Sequence, residues 1–357
     1  MTSLKRSFRP QLELLENRST PAVAAFQWGS SLIIRGDAGD DVINIIDQGN
    51  GTVTANITGT SGSDSVIGSN ILTVTVYANG GDDTVNYNLA TSLVQRRNLY
   101  LYLGYGDDIA NLNVGGVTSG NLYAVVSGYA GNDRVMADFG AIDNSFVNLF
   151  SYLGYHDDNA TVRFNNAIDR SVVNLHLDAG PNDDKVNVDL GQVFDSQINL
   201  KSYLQGGNDT MNAALNGHIL GVSNVALNTW DSFGNDLTTY QATGVHIDDF
   251  ATLSMRTYSY TGLDQADVSW QGRLDGRLNV NLAGGWMSDT LSANLNVNEN
   301  SDGDLFASVI GWWQPDVLTL NIYEEDFSLN SLVAYVDGGW FTTDTINATG
   351  NVSTFNT

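Results

Sequence analysis

The feature that most limits what this chain can fold into is a turn that returns about every 25 residues. Gly-Asp-Asp-like segments stand at Gly39-Asp40-Asp41, Gly81-Asp82-Asp83, Gly106-Asp107-Asp108, Gly131-Asn132-Asp133, His156-Asp157-Asp158, Asn182-Asp183-Asp184, Gly207-Asn208-Asp209 and Gly234-Asn235-Asp236. With the last Asp as anchor, positions 83, 108, 133, 158, 184, 209 and 236 are separated by 25, 25, 25, 26, 25 and 27 residues. Weaker copies anchor at Asp64, Asp264 or Asp267, Asp289, Asp316 and Asp344. The units follow one another without a linker, so residues 23–357 read as one elongated domain rather than the two that length alone suggests.

The residues around each anchor identify the element. Two positions on come Ile43, Val85, Ala110, Val135, Ala160, Val186 and Met211, and four on come Ile45, Tyr87, Leu112, Ala137, Val162, Val188 and Ala213. Between them lie Asn44, Asn86, Asn111, Thr161, Asn187 and Asn212. Apolar and polar residues alternating with period two make a half-buried strand. A second such strand precedes each turn, as in Asn98-Leu99-Tyr100-Leu101-Tyr102-Leu103. A short unit with one apolar face cannot bury that face alone, and stacking units in register closes a continuous core. The expected fold is all-β: a right-handed parallel β-helix, or solenoid, of about a dozen coils of about 25 residues. Stacked Asn side chains are expected to form amide ladders that hold the register.

Composition fits this architecture. Asp supplies 35 of the 40 acids, Asn numbers 39 and Lys only 3, a mixture rich in turn formers and poor in helix formers. A hydrophobic content of 42% is too high for simple disorder. The formal charge of −25 opposes binding to nucleic acid or anionic lipid and favours cations. No apolar run reaches the ~18–20 residues of a membrane span. Cys is absent, which removes disulfides and thiolate chemistry.

The segment Gly80-Gly81-Asp82-Asp83-Thr84-Val85 resembles the Gly-Gly-x-Gly-x-Asp turns of the repeats-in-toxin (RTX) calcium-binding β-rolls. Glycine allows left-handed backbone angles there, and Asp carboxylates with turn carbonyls offer the hard oxygens that Ca²⁺ requires. The resemblance implies metal sites at Asp40, Asp41, Asp82, Asp83, Asp107, Asp108, Asp133, Asp157, Asp158, Asp183, Asp184 and Asp209. It departs in one respect: RTX rolls carry two such turns per coil, and here there is one per 25 residues. Stacking argues for a cation independently, because carboxylates ~5 Å apart repel by about 1 kcal/mol even in water. The competing structural reading has the same residues making Asx-turns that face solvent.

Catalysis finds little support. Acids placed by a repeat need no active site to explain them, and the four His (156, 176, 218, 246) read as isolated. Arg96-Arg97, Arg163, Arg170, Lys185 and Lys201 read as outward residues that relieve charge. Trp286, Trp312, Trp313 and Trp340 precede the last anchors in a stretch beyond Arg277 that has ten acids and no Lys or Arg. These Trp read as core filling or a cap, with sugar stacking as the alternative.

At the start of the chain, Leu12, Glu13, Leu15, Glu16, Arg18, Pro21 and Ala22 resemble the Leu-Glu-x-Leu-Glu-x-Arg-x-x-Pro-Ala leader of large repetitive bacterial surface or secreted proteins. Residues 1–22 therefore read as a leader or cap. The whole points to a non-enzymatic, secreted or cell-surface, adhesin-like repeat protein, stabilised by Ca²⁺, with cations and surface polysaccharide or other cell-surface components as partners. The alternative is a β-helix that binds or cleaves polysaccharide.

Overall fold

The computed structural model describes residues 23–326, 328–339, 344–351 and 353–355, and within them every regular element is a β-strand. The chain winds into a parallel β-solenoid of about 10 turns. Each coil alternates between two sheets. Arg96–Tyr105 lies in the front sheet, the Gly106-Asp107-Asp108 turn leads to Ile109–Thr118 in the back sheet, and Asn121–Ala130 returns to the front one coil later. The 25-residue period is thus the coil itself: Tyr100 pairs with Val125, and Val125 with Phe150.

The two-residue alternation fixes which side chains enter the core. Val85, Ala110, Val135, Ala160, Val186 and Met211 occupy successive rungs of the back sheet and are all buried. Inward side chains of both sheets merge into one apolar cluster. Outside, the amide ladders form: Asn86 donates to Asn44 at 3.0 Å, Asn111 to Asn86 at 2.8 Å, and Asn212 to Asn187 at 3.2 Å. In the middle coils the back strand breaks, leaving short continuations at Ile168–Asp169, Val193–Phe194 and Ile219–Leu220.

The first unit departs from the period. Asp41 and Asp83 are 42 residues apart, yet Val42–Asp47 and Thr84–Leu89 are adjacent parallel strands. The excess residues form an antiparallel hairpin, Val53–Gly59 with Gly62–Gly68, against Val42–Asp47. Ala24–Trp28 likewise pairs antiparallel with Ser31–Arg35. Asp64 therefore anchors no coil. It lies in the hairpin and accepts the Ala25 amide at 2.8 Å. At the later ambiguity Asp264 is the anchor, and Asp267 sits mid-strand on the outer side.

Arg97 corrects the outward reading of the basic residues. It is fully buried and pairs with Asp47 through Nε at 2.5 Å and Nη2 at 2.9 Å, and Tyr87 donates its hydroxyl to the same carboxylate at 2.7 Å. The period-two rule had the strand correct, but a long side chain at an inward position needs a buried partner, which only the fold supplies. Arg163, between Asp138 and Asp189 at 3.5 Å each, and Arg170, 2.5 Å from Asp143, do lie at the surface. The leader-like residues Leu12 to Ala22, and Trp340, fall outside the described residues.

A candidate metal centre along the aspartate turns

The two acidic positions of each turn have opposite fates. The anchor enters the interior: Asp41, Asp83, Asp108, Asp133, Asp158, Asp184 and Asp209 are at most 3% exposed. The residue before it, as at Asp40, Asp82, Asp107, Asp157 and Asp183, is exposed. The alternation of the following strand makes this split, since Asp108 is in phase with the inward Ala110 and Leu112, and the turn that leads into it is left-handed. Gly106 and Gly131 hold φ at +130° and +136°, and a Cβ on Gly131 would lie 1.8 Å from the Gly106 carbonyl oxygen. His156 and Asn182 adopt the same conformation without glycine, at +86° and +93°.

Two hydrogen-bonded columns follow, with opposite polarity. In the inner column the amide of each anchor donates to Oδ1 of the anchor one coil later. This continues without a break from Asp41 to Asp344, at 2.6–3.0 Å. In the outer column the amide donates backwards, to the coil before: Asp82 to Asp40, Asp107 to Asp82, Asn132 to Asp107, and so on until Leu263 donates to Asn235. Each coil is therefore tied to its neighbour through one acceptor from either side. Asx-type structural use of these acids is real, but for seven of the twelve it is internal rather than solvent-facing. Asp236, Asp264, Asp289, Asp316 and Asp344 extend the inner column beyond the residues read as ligands.

The inner carboxylates are only half used. Oδ2 of Asp83, Asp108, Asp133, Asp158, Asp184, Asp209, Asp236, Asp264 and Asp316 is buried with no hydrogen-bond partner. Burial pushes these carboxyl groups up: Asp83, Asp158, Asp209, Asp264 and Asp316 to about 7, Asp108 and Asp236 to about 6, Asp133 to about 8 and Asp184 to about 9. The donated amide works against this shift in each case without cancelling it. Such oxygens take either a proton or a hard cation.

Other constellations are different in kind. The one set of three carboxylate oxygens within 4.8 Å of one another among the described residues is Asp249, Asp275 and Asp302, at the opposite turn of the coil. Asp275 there is already compensated, by Arg273 at 2.7 Å and His246 at 2.9 Å. Burial raises its carboxyl, but these two partners outweigh it and hold it below the usual range. The histidines are not all isolated: the 28-residue spacing of His218 and His246 is one coil, and the His246 amide donates to His218 Nδ1 at 3.0 Å. A polar cleft of about 640 Å³ at the break in the back strand is lined by Arg163, Asn166, Asp189, Gln192, Asn216 and His218, among others.

Aromatic residues form two kinds of surface. Along the front sheet the rings pack on one another between coils, face to face in Tyr77–Tyr102 at 5.3 Å and 14° and Tyr203–Trp230 at 4.9 Å and 10°, and tilted in Tyr100–Tyr123, Tyr123–Phe150 and His176–Tyr203. These contacts brace the stack from coil to coil. Trp286, Trp312 and Trp313 are 55%, 52% and 43% exposed, so they do not fill the core. Trp312 and Trp313 line a recess of about 370 Å³ with Ile310, Gly311, Asp337 and Gly339. Comparison with protein families, with curated proteins and with solved structures finds no match for this chain.

Proposed function

We propose that the protein is a non-enzymatic, secreted or cell-surface repeat protein, structural or adhesin-like, whose aspartate turns bind Ca²⁺. The observation that supports this most is the buried Oδ2 atom left without a partner in coil after coil. Ionised, each is a hard oxygen in a site with little access to water, and a divalent cation relieves both its desolvation and the repulsion along the column. The RTX-like turns and the leader-like N-terminal motif support the same reading. A cation bound only by the folded coil stabilises it by about 2.7 kcal/mol per site at a hundred times Kd. A rod hardened in this way by the calcium of the exterior medium suits an extended surface structure.

The test is calorimetric titration of chelator-treated protein with CaCl₂ at pH 7.5, together with melting curves. Uptake of several ions per chain and a rise in Tm support the reading. No heat and no Tm change at millimolar Ca²⁺ end it.

The second reading is polysaccharide binding, favoured by the exposed Trp312–Trp313 recess with Asp337 at its edge. An aromatic face beside a carboxylate matches the C–H face and hydroxyls of a pyranose. The surrounding acid-only stretch after Arg277 selects against anionic glycans. Binding to neutral glycans on an array, lost in Trp312→Ala, supports this reading, and released oligosaccharide would instead indicate cleavage.

A further inference from the structure

The strand break in the back sheet is confined to three consecutive coils, and the residues at it are mostly turn formers. Asn165-Asn166-Ala167 separates Phe164 from Ile168, Gly191-Gln192 separates Leu190 from Val193, and Asn216-Gly217-His218 separates Leu215 from Ile219. The coils on either side, Arg134–Asp143 and Leu237–Ile247, run through the same place as unbroken strands. The cleft of about 640 Å³ crosses all three broken coils. At the spacing of stacked strands that is about 10 Å from the first coil to the third.

What lines the cleft is polar and unspent. Among the described residues, the backbone N–H groups of Asn166, Gln192 and Gly217 find no acceptor. The side-chain amides of Asn166, Gln192 and Asn216 are exposed and make no hydrogen bond within the chain. Outward amides elsewhere on the back sheet are consumed by the ladders, as Asn111 is by Asn86. Arg163 lies 3.5 Å from both Asp138 and Asp189, too far for these to take up its N–H donors fully. His218 accepts the His246 amide on Nδ1, so the proton of its neutral ring is on Nε2, as a donor. Arg163 and Asp189 are the formal charges of the lining, and they cancel. In a chain of charge −25 this balance is local.

These groups suit one kind of ligand. A hydroxyl both donates and accepts, as a carboxamide does, so a polyhydroxylated chain can use donors and acceptors alike. An extended peptide would want pockets for its alternate side chains, but the apolar residues at the cleft, Phe164 and Leu190, are buried in the core. An anionic ligand gains nothing from a lining without net charge and meets the negative field of the whole chain. We propose that this cleft binds a neutral glycan, a short run of its sugar units lying across the three broken coils. The site is separate from the Trp312–Trp313 recess, which lies four coils further on at the other end of the back strand. It does not rest on calcium in the aspartate turns.

The experiment is calorimetric titration of the full chain with neutral linear oligosaccharides of glucose, mannose and galactose, and with oligogalacturonate as the anionic control. Wild type is compared with the triple variant N166A/Q192A/N216A, with Asn216→Trp, which fills the cleft, and with Trp312→Ala. The altered cleft side chains are exposed and unbonded, so both cleft variants should melt with wild type. At least one neutral oligosaccharide should bind wild type at millimolar concentration. Its affinity should fall at least about tenfold in both cleft variants and stay unchanged in W312A. No neutral binding to wild type, tighter binding of oligogalacturonate, or affinity retained in either cleft variant overturns the proposal. Loss in W312A alone also overturns it and moves the glycan to the recess.

Discussion

The backbone amide of Asp133 donates to Oδ1 of Asp158, one coil further on, at 2.6 Å, and the other oxygen of Asp158 is buried with no partner. One side chain thus closes a coil-to-coil bond and at the same time keeps a buried acceptor in reserve. The same arrangement recurs along the column, which makes its energetics testable at a single rung.

Replacing Asp133 by Ala leaves the Asp108 amide buried without an acceptor, since its bond to Asp133 Oδ1 spans 2.9 Å. The expected loss is about 1–3 kcal/mol. Asp133→Asn keeps an oxygen in place and removes the desolvated charge, so metal-free D133N at pH 8 should be at least as stable as wild type. Urea denaturation of both variants checks this, and equal losses in the two would contradict it.

The pH dependence has a definite sign. Burial raises nine of the inner carboxyl groups, Asp83, Asp108, Asp133, Asp158, Asp184, Asp209, Asp236, Asp264 and Asp316, from 3.8 to between about 6 and about 9 in the folded state. Between those limits the folded chain holds protons that the unfolded chain has released, so stability falls as pH rises. The contribution is fully present below about pH 4 and is lost as pH rises through about 6 to 9. Chelator-treated protein should therefore melt at least ~5 °C higher at pH 5 than at pH 8. Melting curves without metal that rise toward pH 8 would contradict the burial of these groups.

At Arg97, truncation strands a buried charge. Arg97→Ala should cost about 3–5 kcal/mol through the unpaired Asp47 carboxylate. One rung along, Asp47 is matched by Leu89 and Arg97 by Leu122. The double variant D47L/R97L should accordingly recover most of that loss, to within about 1 kcal/mol of wild type or better. A double variant as unstable as the single one would show that the pair acts otherwise than by mutual neutralisation.

Gly131 is the sharpest steric test of the turn. With φ at +136° and the Gly106 carbonyl oxygen 1.8 Å from any added Cβ, Gly131→Ala should cost at least about 2 kcal/mol. Gly29, at φ +60° with nothing within 4 Å, is the control, and Gly29→Ala should cost about 1 kcal/mol or less. Urea denaturation that ranks the two the other way would contradict the packing described for the turn.

Much of this was legible in the residues, because a solenoid writes its coil length into the sequence. The spacing of Asp83, Asp108 and Asp133 gave the coil, and the alternation after each anchor gave the strands and the inward columns. What could not be read was the side of the turn on which each acid lies. Asp107 and Asp108 are chemically identical neighbours, and the alternation has to be carried back through the anchor to see that Asp108 shares the inward side of Ala110 and Leu112 while Asp107 faces out. The hairpin between Asp41 and Asp83 was hidden as well, since its strands alternate like any others. Arg97 looked like a surface charge because its partner Asp47 is 50 residues away.

On the proposed function, the second oxygens of the inner aspartates are cation sites. Anomalous diffraction from crystals grown in millimolar CaCl₂ at pH 7.5 addresses it most directly. A line of calcium peaks is expected along the inner column, beside Oδ2 of Asp83, Asp108, Asp133, Asp158, Asp184 and Asp209. A column without peaks, its Oδ2 atoms sitting as protonated carboxyls in the dry interior, would contradict it.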